Sequence, residues 1–182
     1  MRRKQWHKNC VAIGLSSGFL EPLESTSIHL IHFNILRFLR LIPNGQVKPW
    51  AIDEFNRQVD EEMRSVKDFL ILHYWQNARQ KDDFWAACRD NQVPETLRHR
   101  VDLFRATGSF FRNLEELFSE NSRIQVMMGQ GVTPEKTHPV ARQMSEAELS
   151  QMMQRLSAEV RRKVYVLPAH GDFLAENFAQ MG

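Results

Sequence analysis

The sequence predicts a mainly α-helical protein with a short strand and turn at its N-terminus. Three observations predict it: apolar residues recur at helical spacing, prolines and glycines separate those stretches, and one early apolar run ends in small residues. That run, Cys10-Val11-Ala12-Ile13, reads as a buried strand closed by a turn at Ser16-Ser17-Gly18. Pro22 presets the backbone and biases Glu21 away from helix, so the first helix begins between Pro22 and Thr26. It runs to about Leu41 and stops at Pro43-Asn44-Gly45. Pro49 opens a second helix with the apolar stripe Phe55, Val59, Met63, Val66, Leu70 and Tyr74. Asp82-Asp83 precedes a short helix holding Phe84 and Trp85, and Pro94 precedes another with Leu97, Val101 and Phe104 on one side. Phe110, Phe111, Leu114, Leu117 and Phe118 form an apolar cluster before the break at Gly129-Gln130-Gly131. A last helix starts at the Ser145/Glu148 capping box, carries Leu149, Met152, Met153, Leu156, Val160 and Val164 as its stripe, and ends at Pro168.

With 182 residues, 42% apolar and 25% charged, the chain can bury a core as one domain or one domain plus part of another. Its 24 basic and 22 acidic residues are mixed along the chain and leave a net charge of +2, which argues against a nucleic-acid partner. Cys10 and Cys88 are too few for a disulfide framework and match no zinc spacing, so a reducing cytoplasm is expected, with Cys10 an inert core thiol. The basic start is not followed by an unbroken apolar stretch, so it is not expected to be a signal peptide. The most apolar segment, residues 28–42, contains His29, His32, Asn34, Arg37 and Arg40, and reads as a buried helix, not a membrane span. His29 and His32 are three apart, but no third ligand is identifiable, and His73 and His170 have the same weakness; no metal site is expected.

Chemistry concentrates where Glu21 and Glu24 flank Pro22-Leu23 and Ser25, Thr26 and Ser27 follow at the start of a long helix. A helix N-terminus has unpaired N–H groups and suits a small anion, and a neighbouring carboxylate can act as a base or stabilise a cation. An ordinary N-terminal cap explains the same spacing, and the residues alone leave both readings open.

The run from Asn9 to Thr26, with Gly18-Phe19-Leu20-Glu21-Pro22-Leu23-Glu24-Ser25-Thr26 at its end, resembles the segment of flavin-dependent tryptophan halogenases that passes beside the flavin ring. Phe69-Leu70-Ile71-Leu72-His73-Tyr74, Asp82-Asp83-Phe84-Trp85, Val126-Met127-Met128-Gly129-Gln130-Gly131 and His138-Pro139 are similar to that family in the same order. The resemblance covers essentially the whole chain. It implies the C-terminal portion of such an enzyme: residues 1–45 as a remnant of an α/β flavin-binding domain and residues 46–182 as a helical substrate-side domain.

In that family reduced flavin, oxygen and halide give hypohalous acid, which reaches a separate aromatic substrate where a lysine and a glutamate act. The position similar to the glutamate is Glu24. The resemblance makes Ser25 the backbone link between flavin and substrate sites, and the backbone N–H groups of Thr26 and Ser27 the halide site; Ser27 replaces a glycine of the best-known tryptophan enzymes. It places the substrate pocket around Phe104, Phe110, Phe111 and Phe118, and puts Arg123 where relatives with the Gly-Gln-Gly segment tend to have tryptophan. Implied cofactors are reduced FAD and halide. Implied partners are a tryptophan or indole-like substrate and a flavin reductase. Only eight residues precede Asn9, and the chain has no G-x-G-x-x-G after a strand, no Trp-x-Trp-x-Ile-Pro and no matching lysine. The flavin-binding part is therefore expected on a separate N-terminal polypeptide or in a missing N-terminal part, with no tight flavin binding and no turnover by this chain alone. The rival expectation is a non-catalytic helical scaffold or partner-binding module of halogenase ancestry.

Overall fold

A computed structural model describes residues 2–42, 47–79, 82–112, 116–137 and 139–178. Strands Trp6–His7 (β1) and Cys10–Val11 (β2) pair antiparallel, Trp6 opposite Val11 and His7 opposite Cys10. The pleat turns Trp6 and Val11 toward the core and His7 and Cys10 outward. Cys10 is exposed, which corrects the expectation of a core thiol: an apolar run read as wholly buried is here a two-residue strand that alternates.

Seven α-helices follow among the described residues: α1 (Ser27–Leu41), α2 (Pro49–Trp75), α3 (Asp83–Asp90), α4 (Glu95–Thr107), α5 (Glu120–Gly129), α6 (Glu146–Tyr165) and α7 (His170–Phe178). The mainly α fold with an N-terminal strand pair is thus what the sequence predicts. Contacts divide the chain into two compact units at the junction of Lys136 and Thr137.

In the first unit α2 is buried along two faces. Phe55, Val59, Met63, Val66 and Leu70 pack with Trp6, Leu30 and Ala51. Phe69 and Leu72, outside that stripe, pack with Leu97, Val101, Phe104, Phe110, Met127 and Val132. The boundary expected near residue 45 falls outside the described residues, and the hairpin, α1 and α2 on its two sides share one core. Asn56 of α2 ties the hairpin down: its Oδ1 accepts from the Gln5 and Trp6 N–H groups (2.7 and 2.8 Å) and its Nδ2 donates to the Trp6 carbonyl (2.9 Å). Arg37 registers α1 on α2, donating to Asn34 Oδ1 (2.7 Å), Gln58 Oε1 (2.8 Å) and Glu62 Oε2 (2.9 Å). Asn34 and Glu62 are buried, so these bonds satisfy groups that would otherwise be costly to desolvate.

Local signals set the helix ends. Pro49 is the first residue of α2, Asp82 caps α3 by accepting from Phe84 N–H (2.9 Å), and α4 closes at Gly108 with φ of 70°. In the second unit the Ser145/Glu148 box forms as expected, with the Ser145 N–H donating to Glu148 Oε2 at 2.8 Å. The α6 stripe of Leu149, Met152, Met153, Leu156, Val160 and Val164 is exposed, and α7 is an element the sequence pattern did not suggest. Among the described residues no helix is long and apolar enough to cross a membrane.

Candidate functional site

Residues Pro22–Glu24 form a 3-10 turn, with Glu21 extended just before it and Glu24 at its end. Ser25 follows in the left-handed region (φ 53°, ψ 35°), uncommon for a residue other than glycine. The turn and this reversal use up the residues before Ser27, so α1 starts one position past the expected range. No side chain caps α1. Glu24 instead crosses to α2, its Oε1 2.9 Å from His73 Nε2, in a pair whose side chains are 31% and 18% exposed.

The His73 ring is fixed from several sides. Its Nδ1 lies 2.8 Å from the Phe69 carbonyl one turn earlier, and the Phe69 ring meets it edge-on at 4.7 Å. Gln130, from the Gly-Gln-Gly turn after α5, donates to the His73 carbonyl (3.2 Å). The next residue, Tyr74, sits against Glu21: burial and the Glu21 carboxylate push its phenol above the usual tyrosine value. Tyr74 stacks on Trp85 at 5.7 Å and meets Phe84 edge-on, while the Arg79 guanidinium covers Trp85 at 4.5 Å. Four segments that lie far apart in the chain therefore meet at the last turn of α2: Glu21 to Ser27, Phe69 to Tyr74, Phe84-Trp85 and Gln130.

At the start of α1 the Thr26 and Ser27 N–H groups make no hydrogen bond among the described residues. They border a cavity of about 30 Å³ lined also by Gly18, Phe19, Leu20 and Leu30. That is space for about one water-sized species next to these two residues. The described strands are one two-stranded antiparallel hairpin, with no strand, glycine loop and helix in succession to cradle a pyrophosphate.

The other expected positions are dispersed. Phe104 and Phe110 are buried in the core, Phe118 is half-buried and tilted against Phe69 at 4.1 Å, and Phe111 is exposed. A cavity of about 340 Å³ that sequence reasoning missed lies beside Glu21 and is walled by Phe19, Leu70, Tyr74, Trp75 and Val93. Another, of about 420 Å³, is lined by His29, Phe33, Arg37, Glu62 and Glu116, without Glu24. His29 stacks on Phe33 at 4.1 Å and lies 3.6 Å from Glu62, and His32 meets Phe33 edge-on. Among the described residues no three His, Cys, Asp or Glu side chains gather as a metal set. His138 lies outside the described residues. Sequence reasoning missed the roles of His73 and Gln130 as partners of the Glu24 segment; the only signal was that both stand in segments that carry the resemblance.

Comparison with known proteins bears on the same residues. Residues 1–146 match the family profile described as tryptophan halogenase. A flavin-dependent halogenase from Xanthomonas campestris superposes with a TM-score of 0.91 at 48% identity, covering 96% of this chain and 35% of that one. A flavin-dependent halogenase from Brevundimonas sp. gives 0.88 at 44% identity, covering 96% and 36%. The tryptophan 6-halogenase of Streptomyces albogriseolus is 30% identical over 96% of this chain and 36% of its own length. The chain thus spans about a third of the relatives it matches.

Proposed function

This chain belongs to the tryptophan halogenase family, and from that premise we propose that it supplies the carboxylate and halide side of a reduced-FAD-dependent halogenase acting on a tryptophan or indole-like ring. The observation that carries this is the position of Glu24, which caps no helix and is held instead by His73 beside two unused amides. Thr26 and Ser27 donate their N–H groups to halide, and Ser25 is the reversed residue that joins them to the carboxylate. Glu24 orients the electrophile over the ring and takes the proton that the ring carbon loses once the carbon–halogen bond has formed. Phe104, Phe110, Phe111 and Phe118 belong to the substrate side of this reading.

Flavin, when bound, supplies the electrons that activate oxygen. It is held by a flavin-binding portion outside these 182 residues, on the same polypeptide or a second one, and a flavin reductase keeps it reduced. The chain alone therefore binds no flavin tightly and does not turn over. The test is to give reduced FAD, chloride or bromide, and tryptophan or indole to the chain alone and to the chain mixed with the flavin-binding portion of a relative, with products read by mass spectrometry. Halogenated product only in the mixture, lost in Glu24→Gln, supports the reading. Product from the chain alone overturns the division of labour, and no product from either leaves a non-catalytic module of the same family.

A further inference from the structure

The two nitrogens of His73 face two acceptors. The Phe69 carbonyl at 2.8 Å can only accept, so Nδ1 carries a hydrogen. Nε2 faces the Glu24 carboxyl group at 2.9 Å, and a hydrogen bond there needs a second proton, on the ring or on the carboxyl. Oε1 of Glu24 is thereby committed to the ring, while Oε2 makes no hydrogen bond among the described residues and is the oxygen left for chemistry. The ring is braced by the buried Phe69, edge-on at 4.7 Å, and the His73 backbone carbonyl is held by Gln130.

We propose that His73 is the positioning residue of Glu24, sharing one proton with Oε1 so that Oε2 is the oxygen that meets the electrophile and the ring proton. The proposal rests on the reading of Glu24 as the catalytic carboxylate. It also says what His73 does not do. With Nδ1–H tied to a backbone carbonyl, the ring cannot hand a proton onward, so the proton that Glu24 collects leaves from Oε2. The competing account is a histidine placed near a helix C-terminus to favour its dipole, which would affect stability alone.

Nitrogen-edited NMR of the imidazole in this chain tests the pairing without turnover. The expected spectrum at neutral pH has Nδ1 protonated in wild type and in Glu24→Gln, with the Nε2 resonance moving between them. A bare Nδ1, or an Nε2 indifferent to Glu24→Gln, overturns the proposal. In the flavin-complemented mixture, His73→Leu is expected to lower kcat by about 10- to 100-fold, the range for partners that orient a reacting group, with KM for the arene unchanged. His73→Gln, whose amide N–H reaches toward Oε1, is expected to recover most of that loss. Equal losses in both variants that track a fall in melting temperature make His73 merely structural and sink the idea. Full activity in His73→Leu with a dead Glu24→Gln refutes this role while the Glu24 reading stands. An active Glu24→Gln removes the Glu24 reading itself, and with it the positioning role.

Discussion

Replacing Arg123 separates packing from charge in the support beneath the site. Its side chain is 1% exposed, donates to Ser65 Oγ at 2.8 Å, and lies 3.3 Å from Glu116, which Arg100 also pairs. The guanidinium covers the rings of Phe69 (5.2 Å) and Phe110 (5.6 Å), and Phe69 in turn braces His73. Burial pulls its pKa below the usual arginine value against the pull of Glu116. Truncation to alanine empties a core position, a loss of about 3 kcal/mol by analogy with large-to-small core substitutions. Uncovering Glu116 adds about 1 kcal/mol, below the usual cost of breaking a buried pair because Arg100 remains. Methionine keeps most of the volume and leaves Glu116 with Arg100 alone, as alanine does, so only that uncovering cost of about 1 kcal/mol is expected. Urea denaturation followed by tryptophan fluorescence reads this unit, because Trp6, Trp50, Trp75 and Trp85 all lie before residue 137. The expected gap between Arg123→Ala and Arg123→Met is about 3 kcal/mol, given mainly by the cavity term. Equal costs for the two variants would falsify the packing account and show that the guanidinium charge itself holds the core.

Gly108 has φ of +70°, and a Cβ there would stand 2.5 Å from the Lys136 carbonyl oxygen, so Gly108→Ala is expected to cost at least about 2 kcal/mol by adding a left-handed penalty to a backbone clash; melting of the variant checks it. Asn56→Leu removes three hydrogen bonds to the hairpin at about 1 kcal/mol each, about 3 kcal/mol in all, and hydrogen exchange at the Gln5 and Trp6 amides should quicken first. In α6 the Ser145 hydroxyl and N–H hold the Glu148 carboxyl below its ordinary 4.5. A carboxylate with a depressed folded value stabilises above the unfolded value and loses that contribution as pH falls through the folded one, so α6 helicity should decline in acid, with Ser145→Ala reducing this part of the response because only the backbone N–H bond remains.

Helix boundaries were legible because their signals are local: Pro49, Asp82 and the Ser145/Glu148 box each act within one turn. The second buried face of α2 was not. Phe69 and Leu72 fall outside the stripe read from the sequence, and only the α4 and α5 residues packed on them reveal that face. Arg123 looked like an odd replacement for an aromatic residue until Glu116 and Ser65 gave it partners from other parts of the chain. At the site, the resemblance pointed to Glu24, Thr26 and Ser27, but no periodicity marks the left-handed Ser25 or the reach of Glu24 to His73. Pairings of that kind are decided by how helices pack, which neighbouring residues do not record.

The same packing explains why the Glu24 turn holds its shape. A left-handed residue other than glycine costs about 1–2 kcal/mol, and the bond from the Ser25 N–H to the Pro22 carbonyl (2.9 Å) offsets part of it, while no side chain caps the helix that follows. A further offset comes from α2. Glu21, extended just before the turn, and Glu24, at its end, reach consecutive residues there, Tyr74 and His73. The Glu24–His73 contact at 2.9 Å ties the end of the turn to α2 and so helps hold Ser25 in its reversed conformation. Orientation of the Thr26 and Ser27 amides then depends in part on the hold that α2 has on Glu24. Glu24→Ala should disturb halide binding through the backbone as well as remove the carboxylate, whereas Glu24→Gln, which keeps a bond to His73, should spare the turn.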